Sequence, residues 1–227
     1  MTSTDVANLH AAILADPSDL AARYAYADAL DEAGSDRRAA FVRASLAGDH
    51  VEASTLLDPL TWWTWFGNPQ QDAADRERRL RVNVQAQPDG VMVHVWAKGD
   101  RIRWGYQAVI RNGLIDEYRG PIASWLEGVR DFHPVTVYRP TWGRRQLAHR
   151  PGNASQAIRL WQDERVSLLH TLDLRAVCRD AESSGYFHVC HRHVFRPWRG
   201  LGRVALPFLS PSWATFMREQ WGARPAR

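Results

Sequence analysis

The chain has 227 residues, of which 45% are apolar and 24% charged, a balance that suits a packed globular protein and excludes a wholly disordered one. Basic residues number 29 against 25 acidic, and every basic residue except Lys98 is arginine. A net charge of only +4 makes a weak electrostatic footprint for nucleic acid, and two cysteines are too few for a disulfide framework.

No stretch approaches the length of a membrane span, and no leading segment joins a basic start, an apolar run and a small-residue cleavage site. The expected setting is a soluble cytoplasmic protein that uses no cofactor. Its expected fold class is α+β or α/β: an N-terminal helical hairpin cap, then a β-hairpin sheet, then short solenoid-like strand-helix units. The matching domain division is 1–58, a helical domain; 59–79, a Trp-rich linker; and 80–227, a mixed strand-helix domain.

The first helix is expected from Thr4 to about Ala15, with Thr4 as its cap and Val6, Leu9, Ile13 and Leu14 as its buried stripe. Asp16-Pro17 stops it. Leu20 to Leu46, reading LAARYAYADALDEAGSDRRAAFVRASL, then gives two short helices hinged at Gly34. Ser18 or Asp19 can cap the first, Gly34 suits the left-handed position past its end, and Ser35 or Asp36 offers the second cap. Leu20, Tyr24, Ala27 and Leu30 fall at spacings of four, three and three, which predicts one inner face, and Phe41, Val42 and Leu46 do the same for the next helix. His50 to Leu57 reads as a fourth helix or the tail of the third, closed by Asp58-Pro59.

This region resembles the bacterial repeat-companion domain family. The stretch LHAAILADPSD followed by RYAYADALDEAGSDRRAAFVR carries the likeness, through Asp16, Pro17, Asp19, Tyr26, Ala27, Asp28, Leu30, Glu32, Gly34, Arg38, Ala39, Phe41 and Arg43. Ala29 stands where that family usually has Trp, and Ala40 where it usually has Glu. The resemblance implies placement beside repeat proteins and implies no activity. A second likeness lies downstream, at Gly113, His133, Pro134, Val135, Thr136 and Val137.

The next stretch, LTWWTWF, packs Trp62, Trp63, Trp65 and Phe66 into five positions. Two roles suit it: an exposed docking patch, or packing between the helical cap and the next domain. From Leu80 the period changes to two. Leu80, Val82 and Val84 alternate with polar residues, Pro88-Asp89-Gly90 turns, and Val91, Val93 and Val95 resume, which predicts a β-hairpin. A third strand is expected over Arg103 to Arg111, and Asn112-Gly113 turns it into Leu114 to Tyr118. Beyond, Pro121 opens a helix and Val135 to Tyr138 makes a strand. A helix over Asn153 to Gln162, a strand over Leu168 to Leu174, and a strand and helix over Arg203 to Pro207 and Ser210 to Trp221 complete the solenoid-like reading.

For chemistry, YFHVCHRHVF offers the soft ligands His188, Cys190, His191 and His193, with Cys178 upstream. In a strand, His191 and His193 share one face while His188 and Cys190 share the other, and the spacing matches no common zinc signature. Packed or surface histidines are the plainer account. Asp28, Asp31 and Glu32, or Asp116 with Glu117, are acids without any sign of convergence in a cleft, and no nucleophile elbow, phosphate loop or zinc-protease helix appears. The resulting reading is a non-catalytic protein-protein interaction or scaffold module whose partner is another protein. The alternative is nucleic-acid binding through Arg76, Arg78, Arg79 and Arg81 and through Arg139, Arg144, Arg145 and Arg150, with tryptophans as stacking surfaces. More remote is a metal-dependent hydrolase built on the cysteine and histidine cluster.

Overall fold

The structure, a computed structural model, describes residues 3–66, 80–97, 105–129, 133–141, 159–160, 163, 166, 169–174, 203–205 and 224–225. They form an α+β protein. The chain divides into two compact units, Met1–Glu117 with Arg130–Val135, and Tyr118–Val129 with Thr136–Arg227. This division differs from the expected boundaries at 58 and 79. Helices and hairpin strands share the first unit, because the apolar faces of the helices are covered by the valine face of the strands.

In the first unit, α1 (Ser3–Ala15), α2 (Leu20–Glu32), α3 (Asp36–Leu46), α4 (His50–Leu56) and α5 (Pro59–Phe66) precede β1 (Leu80–Gln87), β2 (Gly90–Ala97) and β3 (Gly105–Arg111), with β4 (Leu114–Pro121) leading out of it. Asp19 caps α2 by accepting from the Ala22 amide. Gly34 has φ +75°, and the amides of Gly34 and Ser35 return to the carbonyls of Asp31 and Leu30. That is the double closure that a glycine past a helix end permits. Ser35 precedes α3 but makes no side-chain capping bond.

The segment expected as the start of a linker is helical. Asp58 and Thr61 cap it reciprocally, the Thr61 amide donating to Asp58 Oδ1 at 2.9 Å and the Asp58 amide to Thr61 Oγ1 at 2.8 Å. Pro59 in the first turn loses no hydrogen bond, since that amide would have been an orphan.

β1 and β2 pair antiparallel with Val82 opposite Val95, Val84 opposite Val93 and Ala86 opposite Val91, and β2 pairs antiparallel with β3. The alternating pattern therefore sets the register as well as the strands. Val91, Val93 and Val95 are buried.

In the second unit, β5 (Val137–Thr141), β6 (Thr171–Asp173), β7 (Arg203–Ala205) and β8 (Arg224–Pro225) run parallel in chain order. Pro121 precedes a helical turn, Ile122–Ser124, that widens into a π-helical turn at Trp125–Val129. Trp125 stacks on Tyr138 at 4.2 Å between ring centroids, and its indole N–H donates to Asp163 Oδ2 at 2.9 Å. The parallel ladder is what the described residues of this unit contain. The helices expected over Asn153 to Gln162 and Ser210 to Trp221 lie outside them, apart from two helical positions at 159–160, so the coils of a solenoid are not among the observed features.

Candidate interaction surface

The side chains of α2 are arranged around one buried arginine. The turn between β3 and β4 places Asn112 at φ +51° and Gly113 at φ +81°, the backbone of a tight hairpin turn with both central residues left-handed. Such a turn leaves carbonyls pointing out of the ladder. Arg23 takes them: Nη1 donates to the Asn112 carbonyl at 2.9 Å and to that of Arg111 at 3.5 Å, while Nη2 donates to the Pro17 carbonyl at 2.8 Å. The side chain is 3% exposed. Burial pushes its guanidinium pKa down, and the Asp116 carboxylate opposes that shift.

With Arg23 turned inward, Tyr26, Ala27 and Leu30 succeed it at helical spacing, and Ala29 is buried as well. The expected inner face is thereby corrected. Leu20 is 49% exposed and Tyr24 is 51% exposed, so the true face is rotated away from both. At 100° per residue, Leu20, Tyr24, Asp28 and Asp31 share the outward flank of the helix. Arg43 from α3 forks across the two acids, reaching Asp28 Oδ1 and Asp31 Oδ2 at 2.9 Å each. The outcome is an exposed Leu and Tyr pair beside a paired ionic cluster.

The aromatic run divides. Trp62 and Phe66 are buried, stacked at 5.1 Å, and the Trp62 indole donates to the Tyr106 hydroxyl at 3.2 Å. Trp65 is half-buried against Phe41, 5.6 Å between centroids. The Trp63 side chain lies outside the described residues. Trp62 and Phe66 are thus packed inside the first unit.

His133 is buried beside Phe66, its Nε2 donating to the Phe66 carbonyl at 3.2 Å. Burial pushes its pKa down to about 3. The imidazole is neutral and structural.

Among the candidate arginines, Arg81 is exposed on β1, and Arg139 is half-exposed with Asp173 Oδ2 3.9 Å away. Arg76, Arg78, Arg79, Arg144, Arg145 and Arg150 lie outside the described residues, and so do Cys178, His188, Cys190, His191 and His193. Among the described residues there is no group of three or more His, Cys, Asp or Glu side chains placed to hold a metal, and no helix long and apolar enough to cross a membrane.

Sequence reasoning passed over Arg23 and Ser45, whose roles depend on acceptors and donors far along the chain. The one local signal was Asn112-Gly113, which announces a turn that something must cap. No family model, no curated protein and no solved structure matches the chain.

Proposed function

We propose that this protein is a non-catalytic interaction or scaffold module that recognises another protein through the outward flank of α2. The observation carrying the proposal is the inversion on that helix: Arg23 is buried, while Leu20 and Tyr24, within one turn of it, are about half exposed. Helices ordinarily do the reverse. An exposed Tyr supplies large contact area at low entropic cost, and the Asp28, Arg43 and Asp31 cluster supplies a polar rim beside it. The resemblance to the repeat-companion family supports the same reading. The proposed compartment is the cytoplasm, supported by the low cysteine count.

The test is affinity capture from nuclease-treated host lysate with the full chain and with the double variant Leu20→Glu, Tyr24→Glu. Both positions are exposed, so the variant should keep the parent urea midpoint. A protein captured by the parent, lost with the variant and rebinding when purified is the expected result. Equal capture by both chains, or capture that depends on nucleic acid, overturns it.

A further inference from the structure

Asn112-Gly113 is the one Asn-Gly pair in the chain. Asparagine is a chemically labile residue, and it is most so before glycine, where no side chain keeps the backbone amide nitrogen from attacking the Asn Cγ. The nitrogen must first lose its proton to base. Its attack expels ammonia and closes a five-membered succinimide, and water then opens that ring at either carbonyl to leave aspartate or isoaspartate. In the fold this nitrogen is withheld. The Gly113 N–H donates to Ser45 Oγ at 2.8 Å in a buried setting, and the carbonyl of the same peptide unit, that of Asn112, is held by Arg23 Nη1 at 2.9 Å. One peptide plane is thus pinned at both ends, by α2 and by α3, and Val42 crowds the Gly113 Cα.

We propose that Asn112 is a modification site guarded by the fold: it converts to aspartate and isoaspartate only while the hairpin tip is parted from α2 and α3, and isoaspartate then keeps it parted. The observed rate is the intrinsic rate multiplied by the open fraction. In the isoaspartyl product the main chain runs through the side-chain carbons, so the path to Gly113 gains a methylene. The carbonyl that Arg23 held becomes a free carboxylate. A two-residue turn with both positions left-handed cannot take in the extra methylene and keep Arg23 and Ser45 both in place.

The experiment uses the full chain in mildly alkaline buffer. Mass spectrometry of peptides spanning residue 112 gives the rate, and electron-transfer fragmentation separates isoaspartate from aspartate. Unfolded in urea, the chain should convert at least about a hundredfold faster than when folded. Ser45→Ala leaves the buried Gly113 amide without its acceptor and should convert about tenfold faster than the folded parent. The isoaspartyl form, separated by ion exchange, should unfold at a lower urea concentration. Conversion of the folded parent as fast as the unfolded chain, a parental rate in Ser45→Ala, or a parental urea midpoint in the isoaspartyl form overturns the proposal. Should Ser45→Ala fail to fold, the parent decides alone: parting the tip from the helices exposes buried surface, so the rate should climb with urea below the unfolding transition, and a flat rate there overturns the guard.

Discussion

The hydroxyl of Ser45 accepts the amide hydrogen of Gly113 at 2.8 Å, and both residues are buried. This one bond joins α3 to the turn between β3 and β4. Together with Arg23 on the turn's carbonyls, it makes the hairpin tip an anchor for the helices, with donor and acceptor groups of the turn satisfied by side chains from two different helices.

Gly113 combines φ +81° with tight quarters, since a Cβ added there would lie 2.8 Å from Val42 Cγ1. Gly113→Ala should therefore destabilise the protein by about 2–3 kcal/mol, from backbone strain and overpacking together. Urea unfolding measures it. In a Val42→Ala background the same substitution should take less, because only the backbone strain remains. Equal losses in both backgrounds would show that Val42 bears none of the strain.

Arg23 donates to three carbonyls from a buried position. Arg23→Met keeps the apolar stem and removes every donor, which leaves the carbonyls of Pro17 and Asn112 short of a partner. The expected loss is on the order of 3 kcal/mol. Arg23→Lys should recover less than half, since a single ammonium cannot span acceptors on both sides of the guanidinium fork. The check is again the urea midpoint, with an unchanged m-value to show that the unfolded state is not what moved.

The acid limb of stability should carry the signature of His133. Its pKa falls from 6.5 to about 3 on folding, chiefly through burial, with His10 and Arg38 adding to the shift and the Phe66 carbonyl opposing it. Between those values the unfolded chain binds a proton that the folded chain refuses. The contribution is complete above pH 6.5 and is lost as pH falls toward 3, at up to about 1.4 kcal/mol per pH unit. His133→Gln preserves a donor for Phe66 and should flatten this limb, as read from urea curves at several pH values. Parallel slopes for the two proteins would mean that the buried imidazole titrates as it does in water.

The sheet of the first unit was legible in the sequence because its signals are local. Alternating valines and Pro88-Asp89-Gly90 determine strand, turn and register within one hairpin, and Gly34 marks the hinge of α2 and α3 by the same kind of short-range chemistry. The face of α2 was not legible. Leu20 and Tyr24 fit the apolar spacing, but the carbonyls that draw Arg23 inward belong to residues 88 and 89 positions later, and no periodicity carries that information. The helix over the tryptophans was hidden for a related reason: an aromatic run has no polar side to show a period, and only the Asp58 and Thr61 pairing betrays its start.

The interrupted make-up of the first unit bears on how the protein comes into being. Met1–Glu117 emerges from the ribosome first, yet the unit is completed by Arg130–Val135, where His133 and Val135 are buried. The nascent chain must release all of Tyr118–Val129, which belongs to the other unit, before the pocket beside Phe66 can be filled. Synthesis therefore cannot finish one unit and then begin the next: the first waits, with part of its aromatic core unmet, until the second is already under way.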